Sequence, residues 1–328
     1  MLYAEVESLE KGTGAVAQQA RTDLDFIRPG ETFYEIVERK RSPAPRPPPR
    51  CPGAPRAHRP RTCVTMAFLS LTDHGPIREI EMNRPPVNAI DLELVNELQA
   101  ALRTGAETPV RAFVLSGQPN FFSAGLDLPA LLNLDETSMA VFWRQLVMLL
   151  QTIALSPVPI LAAMTGHSPA GGTVLALYTD YRVMARGEYK IGLNEVQVGL
   201  PVPHFIQRGL ARLVGVRQAG RLVMEGQLLN PDEACAIGLV DELAATDQVR
   251  ECALQKARHW LTLPEAAFRT TREISRKGLD FMAKKQAEVE TMVAFWFRPE
   301  TQEALRRYVD TLRERRDREP DRSWRSKT

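Results

Sequence analysis

The chain has 328 residues and a net charge of +2, with 44% hydrophobic and 25% charged residues, which is typical of a globular protein of one large or two ordinary domains. Its longest apolar stretches, such as residues 147–155, are too short to cross a bilayer, so membrane insertion is not expected. No N-terminal stretch combines a charged start, an apolar run and a small-residue cleavage site, so no secretory signal is expected.

The four cysteines, Cys51, Cys63, Cys235 and Cys252, form no CxxC pair and have no histidine nearby at ligand spacing. This pattern predicts reduced thiols and no metal site. With no recognisable presequence, we expect a cytoplasmic protein, and a mitochondrial or peroxisomal matrix is the alternative.

The first 65 residues differ in composition from the rest. Residues 39–61 contain eight Lys or Arg, no acidic residue and eight prolines, so this segment can neither form a helix nor bury a core. We predict that residues 1–65 are a disordered extension with a Pro/Arg-rich linker, dispensable if Met66 is the true start. An organelle transit signal and an RNA-binding arm are the alternatives. The remaining residues carry a net charge of −1, so they offer no general nucleic-acid surface.

From Met66 onwards, short strands alternate with helices. Apolar periodicity predicts strands at residues 77–83, 111–117, 159–166 and 181–186, and helices at residues 91–104 and 138–155. Strand and helix in repeated alternation predict an α/β fold with largely parallel strands. After Pro201 the chain is mostly helical, and its apolar-striped tail must pack on its own core or on a neighbouring subunit.

Two stretches bring small residues to the start of a helix: "SAGLDLPALL" at residues 123–132 and "GHSPAGGTVLALYTD" at residues 166–180. Each leaves backbone N–H groups at the positive end of a helix dipole, a place suited to a negative oxygen. That oxygen could belong to a phosphate or to the oxyanion that forms when the carbon next to a carbonyl loses a proton. The phosphate alternative expects GxGxxG or GxxxxGK[ST], which neither stretch contains. Glycines that merely permit tight turns are the third alternative.

A third stretch, "YKIGLNEVQVGLPVP" at residues 189–203, adds further motifs. Together with "PPVNAI", "FSAGLDL", "PAGG", "TDYRV" and "NPDEACAIGLVDEL", it resembles the enoyl-CoA hydratase/isomerase (crotonase) superfamily in order and spacing. The resemblance extends from about Asn83 to Arg315. It is greatest to the Δ3,Δ2-enoyl-CoA isomerase branch.

The resemblance implies a crotonase-like spiral of strand-strand-helix repeats in residues 66–260 and a helical C-terminal region in residues 261–328 that forms a homotrimer. It also implies an acyl-CoA thioester substrate, with coenzyme A as part of that substrate and no separate cofactor or metal. In the family, two backbone N–H groups form the oxyanion hole. Carried over, they are those of Leu126 and Gly171, and because backbone atoms donate, no reactive side chain is required at either position.

The same resemblance assigns the proton carrier. Family hydratases use two glutamates to add water across a double bond; one of these positions is Val174 here and the other is Glu195. With one carboxylate, the simplest chemistry is isomerisation of a 3-enoyl-CoA to a trans-2-enoyl-CoA in fatty-acid oxidation, with Glu195 moving the proton. Hydration or another thioester reaction is the alternative within the fold, and a non-catalytic CoA- or RNA-binding relative is the alternative outside it.

Other residues receive smaller roles. The backbone of the first junction is predicted to line the substrate channel, through Ser123, Ala124, Gly125, Leu126 and Asp127. Asn194 could bind Glu195 or the thioester, or serve its own backbone. We expect Asp127 to cap the following helix, Asp180 to be structural, and His167 and His204 to be satisfied or solvated.

Overall fold

The computed structural model describes residues 63–106, 109–279 and 285–318. All described residues belong to the second of the chain's two units, Pro48–Thr328. The predicted extension, residues 1–65, therefore lies outside the described residues except for Cys63–Thr65. These three residues form a strand, so the described fold begins before Met66.

A seven-stranded sheet forms the centre of the second unit. Its spatial order is β1-β2-β3-β4-β6-β8-β10, with bounds β1 Cys63–Thr65, β2 Leu69–His74, β3 Ile77–Met82, β4 Ala112–Ser116, β6 Ile160–Met164, β8 Tyr181–Ala185 and β10 Glu242–Ala244. The first three strands are antiparallel, and from β3 onwards neighbours are parallel.

A second, smaller sheet of parallel strands has the order β5-β7-β9, with β5 Asn120–Phe121, β7 Gly166–Pro169 and β9 Ile191–Gly192. Each of these strands follows a strand of the large sheet, and β5 and β7 then lead into helices. This order is the predicted repeat of strand, strand and helix, so the α/β fold class and its spiral are confirmed.

The helices in chain order are α1 Leu92–Ala106, α2 Leu128–Leu131, α3 Glu136–Ala154, α4 Gly171–Leu177, α5 His204–Val214, α6 Val216–Glu225, α7 Pro231–Ala236, α8 Val249–Trp260, α9 Glu265–Ser275, α10 Lys285–Trp296 and α11 Pro299–Arg318. A 3₁₀ helix, Glu195–Val198, follows β9. Side chains cap several starts: Asp135 accepts from Ser138 N at α3, and Asn230 and Glu233 form a capping box at α7.

The large sheet is covered on both faces. Along β4, Phe113 and Leu115 belong to one buried cluster and Ala112 and Val114 to another, because successive side chains of a strand point to opposite faces. The first cluster includes α1, α3 and α4, whereas the second is closed by α8. Burial on both faces explains why the inner strands read as continuous apolar runs.

The C-terminal helices pack on the chain's own core, which is the first of the two alternatives predicted for the apolar-striped tail. Helix α10 lies against α3, and α11 lies against α2 and the 3₁₀ helix. Helix α9 is fastened by ion pairs of Arg272 and Arg276 with Asp180, at 2.8 and 2.7 Å, all three side chains being less than a tenth exposed. Trimer formation stays a prediction.

One cysteine differs from expectation. Cys252 is disulfide-bonded, so the prediction of four reduced thiols is wrong for this residue, while Cys235 carries a free thiol. Sequence spacing does not show which thiols the fold brings together. Among the described residues, no helix is both long and apolar enough to span a membrane.

Candidate active site

The first junction, residues 123–127, is held by the loop that precedes α1. Ser123 is fully buried and its hydroxyl donates to Asn88 O at 2.7 Å. Asn88, itself buried with a φ of 52°, donates from its amide to Met82 O and Phe122 O. The loop of the "PPVNAI" motif thus fixes the backbone of the "FSAGLDL" motif.

The amide of Leu126 is directed away from this loop. Ile90 N donates to Gly125 O at 2.8 Å, and Asp127 N donates to Ile90 O at 2.9 Å. In this parallel pairing, Ile90 bonds to the residues before and after Leu126, namely Gly125 and Asp127. The N–H of Leu126 itself therefore points away from Ile90. No hydrogen bond of this N–H is found in the described part of the chain.

The second junction turns from β7 into α4 through an unusual backbone. Ala170, the residue before the helix, has φ 46° and ψ −117°, a region that L residues rarely adopt. Its N–H donates to Gly192 O in β9 at 2.8 Å. The next N–H, that of Gly171, has no partner among the described residues and stands at the first position of the helix.

The two junctions touch each other. A Cβ placed on Gly125, whose φ is +92°, would lie 3.2 Å from Gly171 N, and one placed on Gly171 would lie 3.2 Å from Gly125 Cα. A Cβ on Gly172 would lie 2.5 Å from Ser123 O. Glycine is required because the backbones approach so closely, and this contact brings the two unpartnered amides of Leu126 and Gly171 together.

Glu195 enters from β9, three residues after Gly192. As a residue it is partly buried, but its Oε2 is shielded from solvent and has no hydrogen-bond partner among the described residues. Burial raises the pKa of Glu195 to about 7, because desolvation disfavours the ionised carboxylate. The side chains of Leu193, Val198 and Leu200 are buried nearby in sequence, whereas that of Val196 is 44% exposed.

Two neighbouring positions complete the description of the predicted residues. Asn194 is 7% exposed and precedes the 3₁₀ helix without a side-chain capping bond, so its side chain does not serve the backbone there. Val174, at the position of the family's other glutamate, is 3% exposed within the core. An ionised side chain at that depth would need its own partner.

A contact that the sequence analysis missed supports the first junction. The Arg84 guanidinium forms ion pairs with Asp127 at 2.8 Å and Asp91 at 2.7 Å and lies over the ring of Phe68. Asp127 also accepts from Ala130 N, so the predicted cap is confirmed. The adjacency of Arg84 to the "PPVNAI" motif was the available signal.

The remaining expectations concern histidines and Asp180. His167 accepts from Lys190 N at 3.2 Å and packs between the rings of Phe121 and Tyr189; burial lowers its pKa. His204 is exposed. Asp180 accepts from Ile160 N in addition to its two arginines, which is the structural role expected. Within the described residues, no cluster of three His, Cys, Asp or Glu could hold a metal ion.

The arrangement offers two chemical functions: stabilisation of negative charge and proton transfer. Paired backbone donors suit a carbonyl oxygen that gains negative charge, and a desolvated carboxyl with a pKa near neutrality suits a proton carrier. Gly171 follows β7 and Glu195 follows β9, and these two strands are paired, while Leu126 follows β5, which pairs with β7 on its other side.

The chain is similar to known enoyl-CoA isomerases and hydratases. The sequence profile described as enoyl-CoA hydratase/isomerase matches residues 72–317. The mitochondrial enoyl-CoA delta isomerase 1 of Rattus norvegicus is 31% identical over 245 residues, covering 73% of this chain and 85% of the relative. A probable enoyl-CoA hydratase of Mycobacterium avium is 34% identical over 187 residues, covering 57% of this chain and 72% of the relative.

The crystal structure of human mitochondrial delta3-delta2-enoyl-CoA isomerase superposes with a TM-score of 0.72 at 30% identity, covering 76% of this chain and 99% of that one. The fold, the motif order and the profile match lead to one conclusion: the chain belongs to the enoyl-CoA hydratase/isomerase family.

Proposed function

We propose that the protein is an enoyl-CoA isomerase that converts 3-enoyl-CoA to trans-2-enoyl-CoA. The observation that carries the proposal is the buried Oε2 of Glu195, which has no hydrogen-bond partner among the described residues. The strand before Glu195 pairs with the strand that leads to Gly171, and Val174 provides no second carboxylate. The similarity to isomerases of rat and human supports it.

In the proposed reaction, the substrate thioester oxygen accepts hydrogen bonds from Leu126 N–H and Gly171 N–H. The Glu195 carboxylate removes a proton from C2, and the electron pair of that C–H bond moves into a dienolate whose negative oxygen the two amides stabilise. Glu195 then returns the proton at C4 while the double bond moves to C2–C3. The reaction is balanced, because Glu195 delivers to C4 the same proton that it removed from C2.

The pKa of Glu195, raised to about 7 by burial, suits both steps. A carboxylate with an ordinary pKa would be a weaker base and would remove the C2 proton more slowly. A pKa near the working pH gives both a usable basic form and a usable acidic form. The rate of the first step should therefore rise with pH up to about 7 and then level.

Hydration is the competing chemistry, because hydratases are also similar to this chain. Adding water needs one group to activate the water and another to place a proton on the carbon chain. Valine at position 174 can do neither, and its buried position leaves no polar atom for a water. The proposal therefore assigns isomerisation and not hydration to this site.

The proposal extends to partners and compartment. The substrate is an acyl-CoA thioester, no metal or redox cofactor takes part, and a homotrimer is the proposed assembly. The names of the rat and human relatives place those proteins in mitochondria, which supports the mitochondrial alternative over the cytoplasm for this chain.

The test is a spectrophotometric assay of the full chain with a 3-enoyl-CoA and, separately, with a trans-2-enoyl-CoA. Wild type should form the conjugated thioester from the first and hydrate little of the second, and Glu195→Gln should lower kcat by about 10²- to 10⁴-fold. Glu188→Gln, a change at an exposed glutamate nearby, is the matched control and should keep wild-type activity. Dominant hydration, or full activity in Glu195→Gln, would contradict the proposal.

A further inference from the structure

Thr173 lies between the two parts of the candidate site. It is the third residue of α4, two residues after Gly171, and it is fully buried. A threonine hydroxyl inside a helix ordinarily bonds the carbonyl three or four residues earlier. The Thr173 hydroxyl instead leaves its helix and reaches strands β7 and β9.

The hydroxyl uses both of its hydrogen-bonding functions in this position. The hydroxyl oxygen lies 2.6 Å from Ser168 O and 3.1 Å from Gly192 O, and it donates its proton principally to the nearer carbonyl. The same oxygen accepts from Gly192 N at 2.8 Å. One side chain therefore joins α4, β7 and β9, and every partner atom belongs to the backbone.

Gly192 has little freedom to move independently. Its φ is +141°, and a Cβ there would lie 2.5 Å from Gln227 O, so the neighbouring backbone encloses it. Its carbonyl accepts from Ala170 N at 2.8 Å, next to the amide of Gly171. The peptide groups of Gly192 are thus bound on one side by the second junction and on the other by Thr173.

Glu195 follows Gly192 by three residues, and Gly171 precedes Thr173 by two. We propose that Thr173 is a positioning residue that sets the distance between the carboxyl of Glu195 and the amide of Gly171. The inference depends on the proposed function, since the proton carrier must reach the substrate carbons while the thioester oxygen stays on the amides. A misplacement of about 1 Å in such a geometry can cost about 100-fold in rate.

The experiment compares two changes at this position in the full chain. Thr173→Val keeps the shape and removes the hydroxyl, and Thr173→Ser keeps the hydroxyl and removes the methyl group. Thr173→Val should lower kcat for 3-enoyl-CoA by about 10- to 100-fold with little change in KM, because the substrate still binds while the base is misplaced. Thr173→Ser should recover most of kcat.

Thr179→Val is the matched control. Thr179 is also fully buried, two residues beyond the C-terminal end of the same helix, and its hydroxyl donates to Ala176 O. If loss of any buried hydroxyl caused the effect, this control would lower kcat as well. We expect it to lower the melting temperature and leave kcat unchanged.

Several outcomes would overturn the inference. Equal kcat in Thr173→Val and wild type would do so, as would equal losses in Thr173→Val and Thr173→Ser, because Thr173→Ser keeps the hydroxyl and should then keep most of kcat. If Thr173→Val does not fold, Thr173→Cys, with similar volume and a weaker hydrogen-bonding group, takes its place and should give an intermediate kcat. Wild-type kcat in the cysteine variant would then overturn the inference.

The series separates this inference from the proposed function. Inactive wild type with 3-enoyl-CoA contradicts the proposed function, whereas active wild type with an equally active Thr173→Val contradicts the positioning role alone. Exchange of the Gly192 amide proton provides a readout without turnover. It should be faster in Thr173→Val than in Thr173→Ser, and equal protection in the two would count against the hydrogen bond as the cause.

Discussion

The two junctions supply one backbone amide each, yet different forces hold them. The first is supported by side chains: the buried Ser123 and Asn88 donate to backbone carbonyls, and nearer the surface Arg84 and Asp127, whose side chains are 17% and 16% exposed, form an ion pair. The second is supported by buried backbone contacts, with Ala170 bonded to Gly192 and the helix glycines against the first junction.

This difference has a physical consequence for robustness. An ion pair near solvent weakens gradually with salt or with the loss of one partner, because water can replace part of the interaction. A close backbone contact has no such replacement, because any added atom must displace main chain. The first junction should therefore respond to mutation by degrees, and the second in an all-or-none manner.

The largest effect is expected from Gly172→Ala. The Cβ of the new alanine would lie 2.5 Å from Ser123 O, so the two junctions must separate. The free energy of unfolding should fall by about 3 kcal/mol or more, the upper end of the range for overpacking. Urea denaturation and kcat should both show the loss. Gly220→Ala is the control, since a Cβ there meets nothing within 4 Å, and it should stabilise its helix by up to about 1 kcal/mol. Similar results for both variants would refute the close-contact argument.

The next effect concerns pH and the buried base beside the second junction. Between pH 4.5 and about 7, an unfolded Glu195 ionises while the folded one keeps its proton, so its contribution to stability falls as pH rises and is constant above about 7. Glu195→Gln should therefore match wild type near pH 4 and become more stable than wild type by at most about 3 kcal/mol at pH 8.

Denaturation of both proteins across this pH range measures the difference. Glu188→Gln should follow wild type throughout, because Glu188 is exposed. A stability difference for Glu195→Gln that is independent of pH would show that the folded carboxyl titrates as in the unfolded chain.

A smaller effect is expected when the first junction loses its ion pairs. Arg84→Gln removes the partner of Asp127 and of Asp91 and should destabilise the fold by about 1–2 kcal/mol, with a moderate decrease in kcat. The loss should shrink in high salt, where the two carboxylates repel each other less. Arg111→Gln is the control, because it breaks an exposed pair with Glu265 and should change stability by less than about 0.5 kcal/mol. If Arg84→Gln and Arg111→Gln changed stability equally, the Arg84 pairs would contribute no more than surface pairs.

The smallest expected effect is a stabilisation of the fold. Ala170→Gly relieves a positive φ at the second junction and should raise the free energy of unfolding by up to about 1 kcal/mol, as the relief of strain exceeds the added entropy of the unfolded chain. Gly125→Ala places a side chain at φ +92°, with its Cβ 3.1 Å from that of Ala170, and should destabilise. Thermal melts of the two variants that shift in the same direction would contradict the strain argument.

Much of this site is visible in the sequence, because its motifs are local. Small residues before a helix predict the two junctions, the resemblance to the family assigns Glu195, and period-two and helical patterns predict the long elements. Strands β5, β7 and β9 are two to four residues long, too short to show periodicity. Their pairing nevertheless connects the second junction to Glu195.

The supporting contacts need the fold itself. Arg84 meets Asp127 across 43 positions of the sequence, and Thr173 meets Gly192 across 19, and although these residues lie in or next to the motifs, no local pattern pairs them. The outward orientation of Val196 has a similar origin, since the 3₁₀ helix that begins at Glu195 turns the next side chain towards solvent.

The last described helix bears on when the protein can become active during synthesis. Helix α11 packs on the 3₁₀ helix of Glu195, with Thr301 Oγ1 donating to Gly199 O at 3.1 Å and Leu305 fully buried. Both junctions leave the ribosome more than a hundred residues before this helix does. A nascent chain can therefore assemble its amide pair early, but the packing around the base is completed only when α11 docks, which ties proton transfer to the synthesis of this helix.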